Sequence, residues 1–277
     1  MAIEYMGLKN IDGPLAVIDH LTGASNEELV TMSLPDGSKR LGKVVALEGD
    51  RAVIQVFEGT SGLSLVNTKT RLMGKPMTLA LSREILGRTF DGVGRPIDSL
   101  GDYYADEVRD VNGSPINPVS RSYPNNFIQT GISSIDCLAT LIRGQKLPIF
   151  SGDGLPHDDL AVQIARQAKI SDEGGEDKFA IVFAAMGVKH DVANYFRRSF
   201  EESGVLNKVV MFLNLSNDPV VERIITPRAA LTAAEYLAFR HDMHVLVILT
   251  DMTSFAEAIR EISSSKGEVP SRKGYPG

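Results

Sequence analysis

Three continuous apolar runs constrain the fold of this chain more strongly than any other feature. They occupy residues 179–183, 209–213 and 245–249. A strand with one wet face alternates apolar and polar residues, whereas a strand covered on both faces is apolar throughout. Strands of the second kind belong to parallel sheets with helices packed on both sides. The sequence beyond residue 126 is therefore predicted to fold as an α/β domain with a parallel sheet.

Two local features refine this prediction. The apolar residues 147–150 are expected to form the strand that leads into a glycine-rich loop. Farther along the chain, Thr226 and Pro227 resemble a helix start. Thr226 would be the cap, and Pro227 would lie in the first turn, where a missing N–H costs little.

The first 75 residues show a different pattern. Short runs with strand character alternate with turn residues at 29–34, 41–47 and 52–57. Ala52, Ile54 and Val56 share one face at a period of two, and Asp36 with Gly37 is a hairpin signal. The sequence predicts a small β barrel over residues 1–75. Residues 76–277 are predicted to hold an irregular connector, rich in glycine and proline, followed by the α/β domain.

A glycine-rich loop precedes the first helical segment of the α/β region, at the place where nucleotide-binding domains hold phosphate. In such a loop, backbone N–H groups cradle the phosphates, a lysine neutralises them, and a Ser or Thr hydroxyl holds magnesium. When the first glycine of this motif is aligned with Gly152, its last glycine falls on His157, its lysine on Asp158 and its hydroxyl residue on Asp159. A carboxylate ~5 Å from a phosphate charge repels it by about 3 kcal/mol at an effective dielectric of about 20. The candidate binding residues of this degenerate loop are Gly152, Asp153, Gly154, Leu155, Pro156, His157, Asp158 and Asp159.

Each of these carboxylates also has a structural interpretation. Asp158 and Asp159 suit the first turn of a helix, because acids are favoured at the positive end of the helix dipole. Asp251 follows the apolar run 245–249, where an active P-loop enzyme keeps its magnesium-associated aspartate. An aspartate in that position also caps a following helix. Asp251 is therefore a candidate relic of a magnesium ligand, with capping as the alternative.

Composition argues against several classes of function. The net charge of -6 gives no basic surface of the kind that binds nucleic acid. Cys137 has no second cysteine with which to form an intrachain disulfide, which favours a reducing compartment such as the cytoplasm. The first twenty residues lack the basic start and apolar run of a signal peptide. The run 245–249 is far shorter than the roughly 20 residues that cross a bilayer, so membrane contact is expected to run through partner proteins.

A series of segments resembles, in the same order, the B subunits of V-type and A-type rotary ATPases. These segments are residues 56–62, 87–98, 130–136, 143–146, 151–157, 217–219, 222–228, 233–236 and 268–277. The resemblance covers essentially the whole chain. It also distinguishes subunits, because the Gly-Leu-Pro-His form of the loop is similar to the B type, whereas catalytic subunits keep glycine, lysine and threonine.

The resemblance implies a small N-terminal β barrel followed by a RecA-like P-loop NTPase domain. It also implies that the chain is incomplete at its C-terminal end and lacks the helical C-terminal domain of the family. The expected role is that of a non-catalytic regulatory or structural subunit. In catalytic relatives, a glutamate that polarises the attacking water follows the second apolar strand. The matching position here is Val188, which cannot act as a base.

The resemblance further implies partners and a location. The implied partners are the catalytic A subunit, the central rotor shaft and the peripheral stalk subunits, in a ring that couples ATP synthesis or hydrolysis to H+ or Na+ transport. The implied location is cytoplasmic and peripheral to the membrane, with no nucleic acid. No cofactor is required, and any ATP or ADP at a subunit interface is expected to bind weakly. The candidate ring-contact residues are Glu222, Arg223, Arg228, Arg272 and Tyr275.

Two other functions compete with this interpretation. An active ring ATPase, such as a secretion-system motor, would need a lysine at position 158. A nucleic-acid-handling hexamer, such as a transcription terminator, would need basic and aromatic residues on its β domain, where this chain offers Phe57. Co-purification distinguishes the three functions. A catalytic ring partner supports the rotary-ATPase subunit, and self-assembly with ATP turnover supports an active ring ATPase. Salt-sensitive RNA binding supports a nucleic-acid-handling hexamer.

Overall fold

An antiparallel sheet of seven short strands forms the N-terminal region. The computed structural model describes residues 3–123, 125–170, 178–265 and 268–276. The strands of this sheet are β1 (Glu4–Met6), β2 (Asn10–Asp12), β3 (Leu15–Ile18), β4 (Glu28–Ser33), β5 (Lys39–Glu48), β6 (Arg51–Val56) and β7 (Lys69–Pro76). Their spatial order is β1, β7, β4, β5, β6, β3, β2.

The two edges of this sheet are joined by one short piece of chain. β1 pairs with β7 at one edge and β2 pairs with β3 at the other, with residues 7–9 between them. The Leu8 N–H donates to the Leu65 carbonyl at 2.7 Å, and the Lys9 N–H donates to the Val17 carbonyl at 2.7 Å. This segment runs from one edge strand of the curved sheet to the other, and the predicted barrel is confirmed. Its interior is filled by Ala16, Ile18, Val30, Met32, Val44, Ala52, Ile54 and Val56.

Short antiparallel pairs and a four-stranded parallel sheet follow the barrel. The pairs are β8 (Thr78–Leu81) with β10 (Glu107–Asp110), and β11 (Ile128–Gln129) with β12 (Lys169–Ile170). The parallel sheet has the spatial order β15 (His244–Thr250), β13 (Phe179–Val188), β14 (Val209–Leu215) and β9 (Thr89–Asp91). The predicted parallel sheet is confirmed. Its fourth strand, β9, comes from the connector and is too short for an apolar pattern to reveal.

Among the described residues, five α-helices accompany the parallel sheet. They are α1 (Ser133–Leu138), α2 (His157–Gln167), α3 (His190–Glu202), α4 (Val220–His241) and α5 (Met252–Ser265). Single 3-10 turns occur at Arg83–Ile85, Pro118–Ser120, Leu206–Lys208 and Arg272–Gly274. Within the part of the chain that the structure describes, no helix is long and apolar enough to cross a membrane.

The central strand β13 explains why its sequence is apolar at every position. Ala180, Val182 and Ala184 lie in a buried cluster with residues of α4 on one face of the sheet. Ile181 and Phe183 lie in a second cluster with residues of α2 and α3 on the other face. Both faces of the strand are therefore covered, as the continuous apolar run predicts.

The barrel and the parallel-sheet domain share one core. Leu29 of β4 and Phe57, which follows β6, belong to the same buried cluster as Phe90, Val221 and Ile225. Phe57 has no exposed surface. The two parts are therefore held together by apolar packing as well as by the connector.

The strand expected at residues 147–150 does not form, and that prediction was wrong. These residues pair with no described strand, and the Phe150 side chain is 92% exposed. Strand β15 is an edge strand of the described sheet, with β13 as its neighbour there. An apolar sequence favours a strand, but a strand also needs a neighbour that accepts and donates its ladder hydrogen bonds.

Helix α4 begins earlier than the sequence suggests. The cap position belongs to Pro219, and Pro227 lies about two turns inside the helix. The first turns bury Val221 and Ile225 in the core. Their burial offsets the backbone hydrogen bond that an internal proline removes. The prediction of a helix start at Thr226 was therefore wrong.

Candidate functional site

The candidate site lies at the carboxyl edge of the parallel sheet, where open α/β sheets bind their ligands. The degenerate loop enters α2 at this edge, and α2 packs against β15. Asp158 of α2 lies close enough to Asp251, which follows β15, for the two charges to interact. The structure thus brings together the loop and the aspartate that the sequence singled out separately.

The loop itself is an exposed turn. The Leu155 N–H donates to the Gly152 carbonyl at 3.3 Å, and His157 Nδ1 lies 2.9 Å from the Leu155 carbonyl oxygen. Helix α2 begins at His157 with Asp158 and Asp159 in its first turn. This arrangement agrees with the structural interpretation of the two acids as helix-start residues. The exposed loop residues are Gly152, Asp153, Gly154, Leu155, Pro156 and His157.

The electrostatics of the first turn oppose a phosphate ligand. Burial raises the pKa of Asp158, and the carboxylates of Asp159 and Asp251 raise it further, while His157 lowers it. A raised pKa means that the surroundings already disfavour one negative charge. A nucleotide phosphate would add more negative charge at a helix start that carries two carboxylates and no lysine. The residues present therefore do not fit the phosphates of MgATP at this loop.

Asp159 is engaged by a neighbouring helix. The Tyr195 hydroxyl on α3 donates a hydrogen bond to Asp159 Oδ1. This bond is the main cause that raises the pKa of Tyr195, with burial second. The position that holds magnesium in an active phosphate loop is thus part of a contact between α2 and α3.

We expect Tyr195→Phe to destabilise the chain by about 1 kcal/mol, because it removes one hydrogen bond to a charged acceptor and leaves the ring in place. Chemical denaturation followed by circular dichroism measures the change. Tyr104→Phe is the matched control, since the Tyr104 side chain is largely exposed. Equal stabilities of the two variants would show that the hydroxyl of Tyr195 contributes nothing.

Asp251 and Val188 complete the edge of the sheet. Asp251 Oδ1 accepts a hydrogen bond from the Thr253 N–H at 2.8 Å, so Asp251 serves α5 as a cap. Val188, at the end of β13, is buried in the apolar cluster beneath α2 and α3. No base occupies the Val188 position. Among the residues with described positions, no group of three or more His, Cys, Asp or Glu side chains is arranged to hold a metal ion.

An arginine network at the same edge was missed by the sequence reasoning. Asn214 Oδ1 accepts hydrogen bonds from Arg223 Nε at 2.9 Å and from the Gly187 N–H at 3.1 Å. A Cβ on Gly187, whose φ is +67, would lie 2.8 Å from Arg223 Nε and 2.9 Å from Ser254 Cβ, so a larger residue there would be strained and would displace the arginine. The available signal was Asn214 itself, a polar residue directly after the apolar run 209–213.

The predicted ring-contact residues occupy different environments. Glu222 is 7% exposed, and Arg223 is held in the network just described. Arg228 donates to Asn112 at 2.8 Å on the surface. In the terminal segment Arg272 is exposed, and the Tyr275 hydroxyl donates to a glutamate of α5. A role in ring contacts stays a prediction for all five, and it suits Arg228 and Arg272 best by exposure.

Family models match both parts of the chain. The model of the ATP synthase alpha/beta family, beta-barrel domain, matches residues 9–71. The model of the ATP synthase alpha/beta family, nucleotide-binding domain, matches residues 131–277. The chain belongs to the ATP synthase alpha/beta family. The degenerate loop, Val188 and Asp251 all lie within the part matched to the family's nucleotide-binding domain.

Relatives within the ATP synthase alpha/beta family are similar over the whole chain. This chain is 60% identical to the V-type ATP synthase beta chain 2 of Clostridium tetani, and the match covers 100% of this chain. It is 60% identical to the V-type ATP synthase beta chain of Halothermothrix orenii and 57% identical to the A-type ATP synthase B subunit of Nitrosopumilus maritimus, each over 99%. The chain spans 60%, 59% and 59% of the length of these three relatives. The resemblance to V-type and A-type B subunits is confirmed.

Proposed function

We propose that this chain acts as the barrel and nucleotide-domain part of a non-catalytic B subunit in a V-type or A-type rotary ATP synthase. In that role it alternates with catalytic A subunits in the soluble ring and contacts the central rotor shaft and the peripheral stalk. The complex couples ATP synthesis or hydrolysis to the transport of H+ or Na+. The subunit lies in the cytoplasm, peripheral to the membrane. Its identity to chains named B or beta supports the proposal.

The loss of catalytic chemistry at the carboxyl edge carries the non-catalytic part of this proposal. Asp158 supplies a negative charge where an active enzyme supplies a lysine. Asp159 is hydrogen-bonded to Tyr195 where an active enzyme has a hydroxyl for magnesium. Val188 is an alkyl side chain where hydrolysis needs a general base. Nucleotide therefore binds weakly at this loop, and the subunit contributes its shape and surface to the ring.

The charges of the chain disfavour the rival functions. An active ring ATPase needs a lysine at position 158 to neutralise phosphate. A nucleic-acid-binding hexamer needs positive charge, and the chain carries 29 Lys and Arg against 35 Asp and Glu.

Assembly with a catalytic A subunit tests the proposal. Mixed with the A subunit of the same complex, the chain is expected to elute with it in size-exclusion chromatography, whereas the chain alone shows no ATP turnover. Arg272→Glu is expected to weaken the association roughly tenfold, about 1.4 kcal/mol, because it reverses an exposed charge. Arg198→Glu, an exposed arginine on α3, is the charge-matched control.

Two results would contradict the proposal. One is the absence of any association with the A subunit under conditions in which a full-length B subunit associates. The other is ATP turnover by the highly purified chain that disappears in Asp158→Ala. An equal effect of the two arginine substitutions would instead move the contact away from the terminal segment and leave the proposal in place.

A further inference from the structure

The junction where the barrel, the turn after β9 and α4 meet carries more negative than positive charge. Glu222, in the first turn of α4, is 7% exposed and faces the carboxylates of Asp91, Asp218 and Glu58. Asp91 is the last residue of β9, and Asp218 lies just before α4. Glu58 is the second residue after β6. Arg95 is the positive group that faces Glu222, and its Nη2 lies 3.5 Å from Glu58 Oε1.

The groups around Glu222 are fixed by other bonds. Asp91 Oδ1 accepts hydrogen bonds from the Val93 N–H at 3.0 Å and the Arg95 N–H at 2.7 Å. Asp218 Oδ2 accepts a hydrogen bond from the Leu215 N–H at 2.6 Å. No described residue donates a hydrogen bond to the Glu222 carboxylate. Its charge is therefore opposed only in part by Arg95, which Glu222 shares with Glu58.

The turn after β9 packs closely against α4. A Cβ on Gly92 would lie 2.6 Å from Thr226 Oγ1 and 3.4 Å from the Glu222 carbonyl oxygen, so the turn after β9 rests directly on α4. The Thr226 hydroxyl is in turn bonded to the Glu222 carbonyl at 2.8 Å. Phe57 of the barrel and Val221 of α4 belong to the apolar cluster beside this contact.

We propose that Glu222 is a proton-controlled contact between the barrel and the parallel-sheet domain, tight when the carboxyl is neutral and weakened when it is ionised. A neutral carboxyl packs at the junction without repelling its neighbours. An ionised one adds a negative charge beside Asp91, Asp218 and Glu58. The device requires no ligand, and it goes beyond the ring role proposed above.

The direction of the pH dependence follows from the titration of this group. Burial, followed by the carboxylates of Asp91 and Asp218, raises the pKa of Glu222 from 4.5 to about 7, against the opposing effect of Arg95. Between these two values the folded chain binds a proton that the unfolded chain has lost. The stability contributed by the neutral form is therefore complete below about pH 4.5 and is lost as the pH rises through 7.

The test compares the 277-residue chain with Glu222→Gln, whose amide has the shape and charge of the protonated acid. From pH 5 to pH 8, the unfolding constant of the unchanged chain is expected to rise on the order of ten- to a hundred-fold more than that of Glu222→Gln. Amide hydrogen exchange, corrected for intrinsic rates, reports on opening of the junction at residues 41 and 57 of the barrel and at 91–95 in the turn after β9. Opening there is expected to be faster at pH 8 than at pH 5 in the unchanged chain, but not in Glu222→Gln. Glu235→Gln, roughly 20 Å away along α4 at 1.5 Å per residue, is the matched control.

Parallel pH profiles for the unchanged chain and Glu222→Gln would overturn the proposal. A pH-dependent stability that is lost in Glu222→Gln, with exchange at the junction unchanged, would also overturn it, because the titration would then act elsewhere. Should Glu222→Gln fail to fold, a carbon-13 NMR titration of the Glu222 carboxyl in the unchanged chain decides the matter. A midpoint near that of an exposed glutamate overturns the proposal, and a midpoint near neutrality supports it.

Discussion

A variant with Asp158→Lys and Asp159→Thr is expected to bind MgATP roughly a hundredfold more tightly than the unchanged chain and still to hydrolyse none of it. The affinity rises because a lysine replaces a carboxylate next to the phosphates, where one like charge alone costs about 3 kcal/mol. The new threonine also supplies a hydroxyl for magnesium. Hydrolysis stays absent because Val188 provides no base. Isothermal titration calorimetry and a phosphate-release assay measure the two outcomes.

A charge-matched control separates a restored site from a general gain in positive charge. Glu4→Lys with Asp12→Thr changes the net charge by the same amount, but it places both substitutions at exposed positions of the barrel, away from the loop. This control is expected to bind MgATP as weakly as the unchanged chain. Circular dichroism checks that all three proteins are folded, since the test variant loses two acids at a helix start, worth about 0.3–1 kcal/mol each.

Two outcomes would count against the degenerate-loop interpretation. Equal affinities in the test and control variants would mean that nucleotide does not bind at the loop even when the lysine is present. Measurable hydrolysis in the test variant would mean that a base other than residue 188 acts at this edge of the sheet.

Phe183→Ala is expected to lower the free energy of unfolding by about 3–5 kcal/mol, which is the usual cost of truncating a buried phenylalanine. The Phe183 ring has no exposed surface and lies 4.7 Å and 5.2 Å, centroid to centroid, from the rings of Phe196 and Phe200 on α3. Its removal leaves a cavity between β13 and α3 that the packed sheet cannot close. Urea denaturation of the purified variant measures the loss.

Phe150→Ala is the control for this substitution, because it makes the same chemical change at a side chain that is 92% exposed. Its expected effect is within about 0.5 kcal/mol. A large loss in Phe150→Ala would show that residues 147–150 are packed in solution. A small loss in Phe183→Ala would contradict the two-layer arrangement around β13.

The parts of the fold that follow from local pattern were predictable from the sequence. Continuous apolar runs indicated β13, β14 and β15, since burial on both faces leaves no polar position. Period-two alternation and the turn at Asp36 and Gly37 indicated the barrel strands. The departure from a working phosphate loop was readable because lysine and hydroxyl positions are fixed by spacing, and those positions hold Asp158 and Asp159.

The parts that depend on distant partners were not predictable. Residues 147–150 have strand composition, but a ladder partner cannot be inferred from composition. Pro227 marks a helix start in isolation, yet tertiary burial of Val221 and Ile225 extends the helix before it. The bonds of Arg223 to Asn214, and the carboxylates facing Glu222, arise from segments far apart in the chain.

The shared core described above has a consequence for the order in which the protein matures during synthesis. The barrel is complete once Pro76 has left the ribosome, but Val221 and Ile225, which belong to the same core as Phe57, follow roughly 150 residues later. At roughly 5–20 residues per second, that delay lasts about 7–30 s. During this interval the apolar cluster that Phe57 shares with the connector lacks its α4 residues. We therefore expect the newly made chain to bind chaperones that recognise apolar surface near the ribosome exit.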